Sequence, residues 1–66
     1  MYYILKETVI DDRTAYGIAA VDEHGKTIIS YADVSPDKAF VADLVRKIND
    51  AGLSPLHLLD VIQDNL

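Results

Sequence analysis

Two short polar turns constrain this chain more than any other feature. Asp11-Asp12-Arg13-Thr14 and Glu23-His24-Gly25-Lys26 separate three runs rich in aromatic and β-branched residues. Those runs, residues 2–10, 15–22 and 27–33, have the composition of strands. Turns this short leave no room for a crossover helix, so consecutive strands must pair antiparallel. The expectation is a three-stranded meander in the order 1-2-3. Gly25 can supply the positive φ that a type I turn with a bulge requires.

The turns also suggest a register. An even-length first turn sets Val9 opposite Tyr16, Leu5 opposite Ala20 and Tyr3 opposite Asp22. A bulge at Gly25 sets Ala20 opposite Ile28 and Ile18 opposite Ser30. One face then carries Tyr3, Leu5, Glu7, Val9, Tyr16, Ile18, Ala20, Ile28, Ser30 and Ala32; it is the more apolar and is the expected core face. The other carries Tyr2, Ile4, Lys6, Thr8, Gly17, Ala19, Val21, Thr27, Ile29 and Tyr31. A slip of one residue would exchange the faces. Gly17 is expected opposite Tyr31, whose ring can cover the space a glycine leaves.

Helix signals follow. Ser35 is placed to cap free amides, Pro36 suits a first helical position, and Asp37 complements the positive helix end. Phe40, Val41, Leu44, Val45 and Ile48 recur as one helical stripe. Gly52 reads as a left-handed stop, and Leu53 as the apolar contact that accompanies one. Ser54-Pro55 repeats the start signal. The last helix is expected over residues 55–65, with Leu56, Leu59, Val61 or Ile62, and Leu66 on its buried side. The architecture is therefore α+β, β-β-β-α-α, in a single domain over residues 1–66.

Tyr2-Tyr3, Tyr16-Gly17-Ile18, Leu44-Val45 with Asn49, and Leu53-Ser54-Pro55-Leu56-His57-Leu58 followed by Asp60-Val61-Ile62, Asp64 and Leu66 carry a resemblance. With these motifs the chain resembles a family of small uncharacterised bacterial proteins from clostridia-like Gram-positive genomes. The resemblance covers nearly the whole chain and rests chiefly on the C-terminal block. That family has no assigned activity, so the resemblance implies an origin and no catalytic residue.

Size and charge narrow the function. A 66-residue chain buries only about 60% of its unfolded surface, so core burial alone gives marginal stability. No cysteine is present, which excludes disulfides, thiolate zinc sites and cysteine nucleophiles. Tight packing or self-association remains as the supplement. No apolar run approaches the roughly 18 residues that span a bilayer. Met1 leads directly into Tyr2-Tyr3-Ile4-Leu5-Lys6, without a basic n-region or cleavage site, which predicts a cytoplasmic protein. The net charge of −5 opposes phosphate backbones and anionic membranes. A helix pair resembling a helix-turn-helix fails for the same reason, because no Lys or Arg follows Lys47 to contact bases or phosphates.

Three functional readings remain. The first is a small non-enzymatic interaction module, with a protein partner or self-association, a homodimer being the simplest form. It would use the second sheet face through Tyr2, Ile4, Val21, Ile29 and Tyr31, or the final helix through His57, Asp60 and Asp64. The second is an acidic inhibitor or nucleic-acid mimic presenting Asp43, Asp50, Asp60 and Asp64 to a basic protein. The third is a metal- or ligand-binding regulator centred on His57, three residues before Asp60. These residues do not form a recognised metal spacing, and the bland alternative packs the ring of His57 against its neighbours. Neither a nucleophile nor a substrate pocket can be identified. The expectation is a protein without catalytic residue, metal or cofactor.

Overall fold

The computed structural model describes residues 1–66 as three strands followed by two helices. The strands β1 (Tyr2–Ile10), β2 (Arg13–Val21) and β3 (Thr27–Ser35) form one antiparallel sheet in the order β1-β2-β3. The helix α1 (Lys38–Ala51) packs against all three strands. A 3-10 turn at Pro55–His57 leads into α2 (Leu58–Asp64). The α+β meander with two helices is thus the fold of the chain.

The first hairpin is tighter than its polar run suggests. Only Asp11 and Asp12 lie in the turn, both at positive φ (49° and 63°), and Ile10 pairs with Arg13. Two successive left-handed residues match the twist of a two-residue hairpin, and Asp tolerates that region better than most side chains. The β1–β2 register consequently moves by two residues: Leu5 faces Ile18 and Tyr3 faces Ala20. A shift of two preserves the faces. Tyr3, Leu5, Tyr16, Ile18 and Ala20 belong to or pack on the core as expected, but Val9, expected on the same face, is 73% exposed near the hairpin end of β1.

The second hairpin behaves as predicted at its tip and departs beyond it. Gly25 has φ 80°, and the Asp22 carboxylate accepts the amides of His24 and Lys26, each at 2.9 Å. Val21 then pairs with Thr27, but Ala20 pairs with Ile29. Ile28 is therefore an extra residue in β3, and it reverses the facing of the strand that follows. Ile29 and Tyr31 turn onto the core side and pack against it, opposite to the outer facing that a bulge at Gly25 alone predicts. The slip brings two bulky side chains inward in place of Ile28 and Ser30. A second irregularity lies between the Ile18–Tyr31 and Tyr16–Ser35 pairs. There the backbone of β3 presses on Gly17. A Cβ on Gly17 would lie 2.0 Å from the Tyr31 carbonyl oxygen. Glycine is required for backbone approach, not for cover by the Tyr31 ring.

Helix α1 begins two residues later than Ser35 implied. Asp37 is the N-cap and accepts the Phe40 amide at 3.2 Å, while the Ser35 hydroxyl accepts the Asp37 amide at 3.1 Å. Ser35 still pairs with Tyr16 as the last residue of β3, so it is not free to cap the helix. Val41, Leu44 and Ile48 are buried, flanked by half-buried Phe40 and Val45. Gly52 ends the helix at φ 63°. Its amide donates to Asn49 and the Leu53 amide donates to Ile48, each at 3.1 Å. This pairing satisfies the free carbonyls of the last turn.

One clamp fixes the helix on the sheet. The Asn49 side chain accepts the Tyr3 amide at 2.7 Å and donates to the Tyr3 carbonyl at 2.9 Å. It thereby stands in for a neighbouring strand on the open edge of β1. The Tyr3 hydroxyl donates to the Leu53 carbonyl at 2.5 Å. Burial pushes the pKa of that phenol up, which keeps it protonated and able to donate.

Candidate interaction surface

The C-terminal helix is positioned by the Gly52 stop and by Ser54, whose hydroxyl accepts the Leu56 amide at 3.4 Å. Pro55 opens the 3-10 turn, where its missing amide proton costs nothing. Leu58 is fully buried and Ile62 nearly so, with Val61 half-buried beside them. Spacing of three and four puts these residues on one side of the helix. The expected phase is corrected here. Leu56, Leu59 and Leu66 do not form the buried side; they are 84%, 41% and 73% exposed. The cause is that leucine and β-branched residues occupy more than half the circumference of this segment. The side that packs is the unbroken one, Leu58-Val61-Ile62, and the side left outside contains Gln63. That glutamine was the available signal, since it interrupts the stripe that includes Leu59 and Leu66.

The outward flank has a regular form. Leu56, Leu59, Gln63 and Leu66 are all exposed and follow one another at steps of three, four and three. Both ends of the helix tighten into i→i+3 hydrogen bonds. The His57 amide donates to Ser54 at 3.0 Å, and the Asn65 and Leu66 amides donate to Ile62 and Gln63 at 3.2 and 3.3 Å. Side chains three apart eclipse in such turns. Leu66 is therefore aligned with Gln63, while Leu56 at about 160° and Leu59 at about 100° around the helix from Leu58 lie on the same flank, using 100° per residue.

His57, Asp60 and Asp64 are exposed on a different flank. They sit at about 260°, 200° and 240° around the helix with Leu58 at 0°, using 100° per residue. None of the side-chain hydrogen bonds joins the ring to either carboxylate. No three His, Cys, Asp or Glu side chains are placed together so as to hold a metal ion. Of the acidic set, Asp43 and Asp50 are engaged within α1. Arg46 reaches Asp43 at 2.7 Å and Asp50 at 3.6 Å, and Lys47 reaches Asp43 at 2.9 Å. Hydrogen bonds from Arg46 and then Lys47 hold the Asp43 carboxyl below the usual carboxylate range. Asp60 and Asp64 are in no ion pair.

The outer sheet face offers less apolar surface than its sequence suggests. Val21 is buried there, as are Ala15 and Ala19, and Ile4 is half-buried. By register the flanking strands set Ile4 and Ser30 on either side of Ala19, and Tyr2 and Thr27 beside Val21. The central strand thus presents the small residues Ala15, Gly17 and Ala19 on this face. Tyr2 and the bulge residue Ile28 are the large apolar side chains of this face that remain about half exposed. At the other end, Arg13 pairs with Asp33 at 2.8 Å. The five sheet residues singled out from the sequence are therefore divided: Tyr2, Ile4 and Val21 face outward, while Ile29 and Tyr31 face the core.

The model of a family of unknown function, DUF6514, matches residues 1–66. The chain belongs to DUF6514. No match to it is found among curated proteins or solved structures. Membership in DUF6514 assigns no activity.

Proposed function

We propose that the protein is a small non-enzymatic interaction module whose contact surface is the outward flank of the C-terminal helix. The observation that carries this reading is the exposure of Leu56, Leu59 and Leu66 on one flank. Scattered exposed leucines are ordinary, but a series on one flank leaves an apolar strip in water with no structural role in the monomer. Amphipathic helices bind partners through such strips. The sheet face contributes Tyr2 and Ile28 as a smaller secondary patch. Pairing of Asp43 and Asp50 within α1 leaves the charge-mimic reading with Asp60 and Asp64 alone on the helices. We place the module in the cytoplasm of a Gram-positive bacterium, on the likeness of the C-terminal block and the lack of cysteine.

A photo-crosslinking residue tests the surface in cells that make the protein naturally. Placed at position 56 or 66, it is expected to yield discrete protein adducts. Placed at Ala42, on the exposed side of α1, it is expected to yield none. Equal labelling at all three positions, or no adduct from any, would rule the reading out.

A further inference from the structure

We infer that the outer edge of β1 pairs with the same edge of a second copy of the chain, antiparallel and centred on Thr8. This surface is separate from the C-terminal flank and does not rest on it. Tyr3 turns both its backbone groups outward, where the Asn49 side chain takes them. Alternation along the strand turns Leu5, Glu7 and Val9 the same way. No hydrogen bond from elsewhere in the chain reaches those three, so their amides and carbonyls are open to a further strand. Glu7 is exposed beside them, and Val9 is 73% exposed.

Charge and the Asn49 clamp leave one register. Outward backbone groups meet outward groups only when the two-fold axis passes beside a residue, not between two. Centred on Lys6, the pairing opposes Lys6 to Lys6 and calls on the Tyr3 groups that Asn49 already holds. Centred on Glu7, it opposes Glu7 to Glu7. Centred on Val9, it opposes Glu7 to Asp11. Like charges directly opposite are destabilising. Centred on Thr8, Thr8 meets Thr8, Lys6 meets Ile10, and Glu7 of each copy exchanges both backbone bonds with Val9 of the other.

In that register each strand ends opposite Lys6 of the other copy. Its Asp11-Asp12 turn then comes up beside the Lys6 ammonium and stops short of Asn49. Lys6, Asp11 and Asp12 are exposed and in no ion pair within the chain. The cationic end of each edge thus meets the anionic end of the other, twice by symmetry. A lone lysine on an edge deters pairing; here the counter-charge sits at the other end of the same strand, which favours a second copy over a foreign strand. The two Glu7 carboxylates lie diagonal to one another, roughly 7 Å apart at Cβ, and oppose the contact mildly. Edge pairing over five residues covers less than the roughly 800 Å² per partner of a standard interface, so the association belongs to the weak, concentration-dependent class.

Sedimentation and amide exchange by NMR on the full chain, from micromolar to millimolar concentration, test this. The mean mass is expected to climb towards twice the monomer while the Glu7 and Val9 amides become protected with it. Lys6→Gln should weaken association by about fivefold, the worth of two exposed ion pairs. Asp11→Asn with Asp12→Asn, which keeps residues that tolerate the left-handed turn, should weaken it as much, and all three changes together no further. Val9→Pro removes an outward amide, a change an edge strand accepts, and should abolish association with the far-UV spectrum unchanged. A monomer throughout the range, freely exchanging Glu7 and Val9 amides in the associated state, or additive losses from the Lys6 and Asp11-Asp12 changes overturns the inference. Association that shifts residues 56–66 and leaves the β1 amides free also overturns it, while the reading of the C-terminal flank stands.

Discussion

Gly17 shows how one residue can be fixed by backbone instead of by side chains. The carbonyls of Tyr31 and Ala32 stand 2.0 and 2.7 Å from where its Cβ would be. Neither is a flexible side-chain end that could swing aside. Gly17→Ala is therefore expected to cost about 2 kcal/mol or more, at the upper part of the range for overpacking. Urea unfolding would measure it as a fall in midpoint without a change in slope. The glycine itself was conspicuous among strand residues, but its reason was not legible. Only the extra residues in β3 bring a carbonyl to that point, and a bulge leaves no composition signal. Asp11 and Asp12 were similarly visible as turn formers, while their positive φ angles depend on the two-residue closure. For the site, His57 stood out by type and Leu56 did not, because a leucine beside leucines looks like core.

At the scale of elements, the strands and α1 were legible because each has one dominant period. Val41, Leu44 and Ile48 leave a single choice of buried face, and Gly52 a single place to stop. The β3 facing and the α2 phase were not, because each sequence supports two alternatives. Ile28-Ile29 supplies an apolar residue to either face, and Leu58-Leu59 to either side of the helix. Packing decides both. The exposed side of α1 gives a prediction at this scale. Hydrogen bonds from Arg46 and Lys47 place the Asp43 pKa below its unfolded value. Those contacts therefore add stability above the ordinary carboxylate range, and the addition is lost as pH falls through the depressed value. Asp43→Asn should flatten the acid limb of stability between roughly pH 2 and 5, the range of carboxylate titration. Thermal unfolding followed across that range provides the measurement, and an unchanged limb would show that the pairs are screened by water.

The whole molecule is a plate 32 × 26 × 17 Å, one sheet and one helical layer thick. Thirteen of 66 residues are buried, so each buried side chain carries a large share of a small total. Leu58→Ala is expected to cost about 3 kcal/mol, the middle of the range for a buried leucine. Leu56→Lys, two residues away, should change the melting temperature by no more than about 3 °C, the size of a surface effect within 0.5 kcal/mol. Comparable losses in both variants would contradict the helix phase described above. The Asn49 and Leu53 contacts to Tyr3 have a further consequence, one of timing. They join residues 46 and 50 positions apart. On the ribosome, β1 is made well before the Asn49 side chain that closes its outer edge at Tyr3. Until then the meander presents open backbone on a strand rich in tyrosine and isoleucine, the kind of edge that recruits other strands. That end of the β1 edge is thus exposed to misassembly during synthesis until Asn49 and Leu53 have been added and folded onto it.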